Sequence, residues 1–357
     1  MAFYSLDDNG IPGKPIEDYQ SLIWNMQYWG MGDFEIVLPG TQEYVDTDIF
    51  SIGRLLVRDI DMSSTAYKNV MRIERRQLSF EGEEGWKLTI GGRGLKAILK
   101  QRAVYPQITF NGSVVDSIRK AISENITTAG VRQIPNVQIL TNFNTNDTFT
   151  CQLLGENLGE WVEETCTKYG LGWDIYLSIN GSSRIKTVEI YRGENRTYNQ
   201  NVNTPVIFSP EYDNLTEYSY SEDVTEQANA AIVGGEERGD LKTAVSIGTS
   251  SGMDRYETYI DGSSVSSNGE VISESQYEDL LREYGNTELA EQAYKPKVAG
   301  VILPDGVFKL NKDFYLGDVV QIDCKGVTAT TRIVEIVYSE DESGTLVTPT
   351  FSEWEES

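Results

Sequence analysis

One short pattern, aromatic-x-aliphatic-Gly-x-aliphatic-aliphatic, occurs near both ends of the chain: Phe50-Ser51-Ile52-Gly53-Arg54-Leu55-Leu56 and Phe314-Tyr315-Leu316-Gly317-Asp318-Val319-Val320. The residues that follow also correspond. Arg72-Ile73 opens a polar strand after the first copy and Arg332-Ile333 opens one after the second. Each strand then runs into an acidic turn, Glu81-Gly82-Glu83-Glu84-Gly85 or Ser339-Glu340-Asp341-Glu342-Ser343-Gly344. A fixed order of strand, strand and acidic hairpin met twice implies two similar β modules in one chain. A chance match between common strand compositions is the competing explanation.

Periodicity fills in the rest. Trp86, Leu88 and Ile90 alternate with Lys87 and Thr89, a half-buried strand that pairs across the first acidic turn with Met71 to Phe80. Val334, Ile336 and Tyr338 alternate likewise. Gly91-Gly92-Arg93-Gly94 is expected to break the first sheet, with a short helix on Leu95, Ile98 and Leu99. From about Tyr105 to Pro205 the texture is α+β. Ser113 with Asp116, and Asn157 with Glu160, are N-terminal helix signals, Gly170 is a stop, and strands follow at Asp174 to Leu177 and Thr187 to Tyr191. β texture returns at Val206 to Phe208, Tyr218 to Tyr220, Ala230 to Val233 and Arg255 to Ile260. The Ser- and Gly-rich stretch Gly262 to Gly269 reads as a loop. After it, Ser273 and Gln276 cap a helix expected to end at Gly285, with a second short helix bearing Leu289, Ala290, Ala293 and Tyr294.

A chain of 357 residues exceeds one ordinary core, and 39% hydrophobic residues suffice for globular folding. No stretch reaches the roughly 18 apolar residues of a membrane span, and the start shows no signal peptide, so synthesis in a cytoplasm is expected. Cys151, Cys166 and Cys324 match no zinc or redox spacing and read as buried thiols. The formal charge of −25 disfavours nucleic-acid binding, which depends on neutralising phosphates. With no histidine present, Ser-His-Asp, Cys-His and HExxH chemistries are excluded.

Paired carboxylates are the one catalytic class left with material. Glu163-Glu164 and Glu236-Glu237 are sequence neighbours that diverge on a helix or a strand, so a solvated acidic face is the plainer reading. No stretch follows a calcium loop, and Asp341 and Glu342 read as turn residues. Gly91 to Gly94 and Gly234-Gly235-Glu236-Glu237-Arg238-Gly239 fit no phosphate-binding fingerprint. Trp24, Tyr28 and Trp29 are core residues by default, or else an edge strand that docks on a partner. No catalytic, cofactor or metal residue is therefore assigned.

In order, these motifs resemble the bacteriophage tail-hub family of siphophage ReqiPepy-type tail proteins, itself similar to the trimeric baseplate hub of myophages. The resemblance rests on Gly32 to Pro39, on Ile90 to Leu95 with Leu99 and Arg102, and on Asn195-Arg196-Thr197. It continues through Val206 to Ser209 with Asn214-Leu215, Asn229 to Gly235 and Arg255-Tyr256-Glu257, and closes on Tyr315 to Val320 and the Arg332-Ile333 hairpin. It implies a mainly β, α+β fold with two similar β-barrel-like domains and α+β and helical insertions. The expected divisions are 1–104 for the first barrel, completed by strands in 205–235; 105–204 for an inserted α+β domain; 205–260 with 300–357 for the second barrel; and 261–299 for a helical insertion.

The implied function is a structural tail-tip hub located in the virion and assembled in the host bacterial cytoplasm. It would be a homotrimeric, pseudo-sixfold ring that continues the tail tube and lets DNA pass without specific binding. Implied partners are the distal tail ring protein, the tape-measure protein, and tail fibre or receptor-binding proteins. The chain stops soon after its last strand, so no enzymatic extension is expected. A carbohydrate-binding or carbohydrate-cleaving surface module acting through aromatics and carboxylates is the alternative. Phe50, Ile52, Gly53, Arg72 and Ile73 are expected to match Phe314, Leu316, Gly317, Arg332 and Ile333 as structural equivalents.

Overall fold

The computed structural model describes residues 1–352 except 83, 84, 129, 226, 239, 240, 264, 266–272, 294–296 and 303–305. Glu83 and Glu84 of the first acidic turn, Gly239, most of the expected 262–269 loop and Tyr294 thus lie outside the described residues. The chain divides into two compact units: Met1–Tyr218 with Ala299–Ser357, and Ser219–Val298.

The first unit begins with β1 (Phe3–Leu6), β2 (Ser21–Gln27) and β3 (Asp33–Pro39), the four-residue helix α1 (Gln42–Val45), and β4 (Leu55–Arg58). β5 (Ala66–Tyr67), β6 (Met71–Glu81) and β7 (Gly85–Gly94) follow. Alternation decides the faces: Leu22, Trp24 and Met26 of β2 and Phe34, Ile36 and Leu38 of β3 are buried while their neighbours point outward. Each such side chain contributes about 1.5–3 kcal/mol by leaving water. Trp24 and Tyr28 are fully buried, and β2 lies inside a sheet rather than at an edge, so the core reading of this run holds and the edge-strand reading does not.

Gly91 to Gly94 do not break the sheet. They are the last four residues of β7, which pairs with β6 as far as Met71↔Gly94. The β6–β7 register shifts between Ile73 and Arg75, and a Cβ on Gly92 would stand 1.9 Å from the Arg72 carbonyl oxygen. The glycines admit a bulge at close backbone approach.

After the 3-10 turn Leu95–Gln101 come β8 (Ile108–Ser113), α2 (Val114–Ile122), β9 (Val137–Ile139), β10 (Thr148–Leu153), α3 (Leu158–Lys168), β11 (Gly172–Asn180) and β12 (Ser183–Tyr191). The Ser113 hydroxyl accepts from Asp116 N, and the Asn157 side chain accepts from Gly159 N and Glu160 N, so both expected N-caps are formed. Gly170, at φ +61°, terminates α3 in the left-handed conformation that favours glycine. β10 pairs with β8, and a second sheet runs β5-β11-β12-β9. Val115, Ile118 and Ile122 of α2 and Leu158, Val162 and Cys166 of α3 join one apolar core with Trp173, Ile175 and Val188.

β13 (Ile207–Phe208) and β14 (Leu215–Ser221) lead to the second unit, built from β15 (Ala230–Arg238), β16 (Leu241–Ile247), β17 (Glu257–Asp261) and α4 (Glu274–Glu291). The sheet runs β16-β15-β17, and its Val233, Val245, Ile247 and Ile260 bury against Tyr277 and Leu281 of α4. A capping box of Ser273 and Gln276 starts α4. Gly285 does not end it. A Cβ there would come within 2.3 Å of Val233 Cγ2, so this glycine marks close helix–sheet packing, and α4 runs on as one helix where two short ones were expected. The strands between Ala230 and Asp261 associate with the helix, which draws this unit wider than the expected 261–299 insertion.

β18 (Lys297–Ile302), β19 (Val319–Cys324), β20 (Val327–Asp341) and β21 (Gly344–Phe351) complete the chain. Twelve strands form one sheet in the order β1-β4-β6-β7-β3-β2-β20-β21-β18-β14, with β19 joining β13 to β20. The open edge of β2 is thus closed by β20. β13 and β14 pair with β19 and β18, and do not complete the sheet of the first 104 residues.

Candidate assembly site

The two glycine turns are built alike. Gly53 and Gly317 both have φ +94°, a conformation that Cβ-bearing residues rarely adopt. Gly53 N donates to Ile73 O at 2.8 Å and Ile73 N returns to Arg54 O at 2.9 Å. Gly317 N donates to Ile333 O at 2.8 Å and Ile333 N returns to Asp318 O at 3.0 Å. Leu55 then pairs with Arg72, and Val319 with Arg332. One residue further on, each long strand shifts register against its hairpin partner, between Ile73 and Arg75 or between Ile333 and Glu335. Phe50 is buried against Phe3 of β1 (centroids 6.3 Å apart) and Phe314 against Phe208 of β13 (5.4 Å). Ile52 is 59% exposed and Leu316 only partly so.

The surroundings of the turns differ. Arg54 lies at the surface with Asp8 at 2.9 Å. Asp318 is buried and accepts from Arg196 Nε (2.6 Å), Glu194 N (2.8 Å) and Tyr315 N (2.9 Å), fastening the strap at 194–196 to the turn. Arg332 donates to Gly317 O at 2.8 Å and lies over the ring of Tyr28. Nothing but the mismatch of Arg54 and Asp318 at like positions marks Asp318 in the sequence.

Strand order extends the correspondence beyond the turns. β2, β3, β4, β6 and β7 are arranged in space as β4-β6-β7-β3-β2. β14, β18, β19, β20 and β21 are arranged as β19-β20-β21-β18-β14. Chain order and spatial order run in parallel in the two sets. They meet at one seam, where β2 pairs antiparallel with β20 from Ser21↔Asp341 to Gln27↔Glu335. Glu335 accepts from Asn25 Nδ2 (2.9 Å), Gln27 Nε2 (2.8 Å) and Thr350 Oγ1 (2.8 Å) there, donors that hold its carboxyl below the usual range against the opposing effect of burial. Buried Arg58 lies between the rings of Trp24 and Tyr338, each 5.3 Å away, and binds Asp61 at 2.5 Å. No sequence pattern singles it out.

A cavity of about 430 Å³ adjoins the seam, lined in part by Asp61, Lys68, Lys96, Asp174 and Glu189. Burial lowers the Lys96 ammonium to about 8 and raises the Asp174 carboxyl. Lys96 Nζ is tied to the carbonyl oxygens of Gln27 (2.7 Å), Trp173 (3.2 Å) and Tyr28 (3.5 Å), and Lys68 binds Glu189 at 3.0 Å. The lysines are engaged as pegs between elements, not poised as bases. Of the other acidic candidates, Glu163 pairs with Lys100 at 3.3 Å and Glu164 is exposed, while Asp341 caps its turn by accepting from Ser343 N at 2.7 Å.

The model of the family described as Siphovirus ReqiPepy6 Gp37-like protein matches residues 10–351. Solved structures with the same fold include a 43 kDa tail protein of prophage MuSo2 from Shewanella oneidensis, with 13% identity, 98% of this chain and 97% of that chain covered, and a TM-score of 0.62. A tail protein from Neisseria meningitidis MC58 has 15% identity, 98% and 95% covered, and a TM-score of 0.60. Prophage tail protein gp18 from Listeria monocytogenes EGD-e has 12% identity, 98% and 94% covered, and a TM-score of 0.56. No curated protein matches the sequence.

Proposed function

The chain belongs to the siphovirus tail-protein family described as ReqiPepy6 Gp37-like, and from that premise we propose that it is the structural hub of the tail tip, a homotrimeric ring of pseudo-sixfold symmetry. The observation that carries this reading is the strand order run through twice in one chain. Three copies of a two-module chain supply six similar modules, which lets a threefold tip continue a sixfold tube. In this reading Phe50, Gly53 and Ile73 of one module are the equivalents of Phe314, Gly317 and Ile333 of the other. The ring docks to the distal tail ring and the end of the tape-measure protein on one side, and to fibre or receptor-binding proteins on the other. Its role is architectural rather than enzymatic. A formal charge of −25 per copy suits a passage through which DNA moves without being held, since fixed cations would retain phosphate. The test is light scattering on the purified chain with micrographs of the particle. A trimer and a threefold ring with a central opening are expected; a monomer at high concentration with no such ring in the particle overturns the reading.

A further inference from the structure

Corresponding strands of the two modules do not have equal numbers of neighbours. In the second module β20 is paired on both edges over Glu335–Asp341, by β21 on one side and β2 on the other. In the first module the corresponding strand β6 has β7 on one edge, while β4 on the other pairs only as far as Arg72. Among the described residues, no backbone hydrogen bond from any element other than β7 reaches Gln77–Phe80. β2, the last strand of the first module, pairs with both β3 and β20, whereas its counterpart β14 ends the sheet order beside β18. Among the described residues, each chain therefore carries one β6 edge and one β14 edge that lack the strand neighbour their counterparts possess.

We propose that β14 of one copy adds antiparallel to the β6 edge of the next at Gln77–Phe80, repeating between chains the β2–β20 seam found within the chain. The contact is head to tail and closes into a ring when the last β14 meets the first β6. It rests on the trimeric reading above and specifies which strands join. Two further observations favour a second copy of this chain as the occupant. An open edge flanked by apolar side chains is a strand-addition site, and Leu78 (43%), Phe80 (60%) and Trp86 (54%) are exposed on this hairpin. The net charges also differ in sign: β6, Met-Arg-Ile-Glu-Arg-Arg-Gln-Leu-Ser-Phe-Glu, has three bases to two acids, and β14, Leu-Thr-Glu-Tyr-Ser-Tyr-Ser, has an acid and no base.

The full chain carrying Gln77→Cys together with Thr216→Cys, Glu217→Cys or Tyr218→Cys tests the pairing by mild oxidation and a non-reducing denaturing gel. The three positions cover both faces of β14, and facing Cβ atoms in such a pair lie about 4.5–5.5 Å apart. Covalent dimers and trimers are expected from at least one double variant and only monomers from the single variants. Light scattering on the wild type separates the failures. A wild-type monomer at high concentration overturns both the trimer and the pairing; a wild-type trimer in which no double variant links, or in which Gln77→Cys alone links, overturns the pairing and leaves the trimer standing. A second variant, Leu78→Asp, is expected to weaken the trimer at least about tenfold with circular dichroism unchanged, and an equally tight trimer overturns the proposal.

Discussion

Gly53 and Gly317 share a backbone angle but not an environment, so their substitution by alanine separates two costs. At Gly53 the nearest atom to an added Cβ is Arg72 Nη2 at 3.4 Å, the end of a flexible side chain. Gly53→Ala is expected to cost only the left-handed strain, about 1–2 kcal/mol. At Gly317 the same Cβ would stand 2.2 Å from Tyr28 Cε2 in a fully buried ring, adding about 1–3 kcal/mol of overpacking. Urea unfolding should therefore rank wild type, Gly53→Ala and Gly317→Ala in falling stability; equal losses would show that Tyr28 yields without cost. Lys96 offers a second measurement at this scale. Below about pH 8 the folded protein holds a buried ammonium whose burial opposes its charge. Between about 8 and the ordinary lysine value near 10.4 the folded state is neutral while the unfolded state stays protonated, so the unfolded state binds more protons and stability rises with pH. Wild type measured against Lys96→Met should gain roughly 3 kcal/mol from pH 7 to pH 10.5. A flat difference would mean that the three carbonyl oxygens hold Lys96 at an ordinary pKa.

Among elements, the strap at 194–196 depends on Asp318. Asp318→Ala removes the acceptor for Arg196 and two backbone amides in a buried place and is expected to cost about 3 kcal/mol, with faster proteolysis near 194–203. A loss under about 1 kcal/mol would assign the strap to its backbone bonds with Val319 alone. Elements of this kind divide into what local sequence encodes and what it does not. The caps at Ser113, Asn157 and Ser273 and the alternation of β7 were legible because one to four neighbouring residues decide them. Gly285 and Gly91 to Gly94 were misread as breakers because what they admit, Val233 from another element and the Arg72 carbonyl at the bulge of the hairpin partner, depends on packing that neighbouring residues do not encode. The partner of β2 was hidden for the same reason: nothing in Ser21–Gln27 names Glu335–Asp341, and the pairing follows from which edges remain open once both hairpins form. Arg58 was equally unreadable, since its burial depends on Trp24 and Tyr338 arriving from two other strands.

For the whole molecule, the correspondence of the modules separates scaffold from addition. In the first module β2 passes to β3 through the short connection Tyr28–Gly32, where Gly32 has φ +66°. In the second, the corresponding β14 and β18 are joined by the whole Ser219–Val298 unit, which has its own apolar core of Val233, Val245, Ile247, Ile260, Tyr277 and Leu281. A unit that buries its own side chains adds little to the sheet it interrupts, and loop-closure entropy changes by only about 0.6 kcal/mol per doubling of loop length. Joining Tyr218 directly to Ala299 through a turn copied from Tyr28–Gly32 should thus leave a β-rich protein that unfolds in one cooperative step, with stability within about 2 kcal/mol of the parent in urea. Aggregation, or loss of the cooperative transition, would show that β14 and β18 need the intervening unit to meet, and that the short hairpin of the first module is not what the second would form without it.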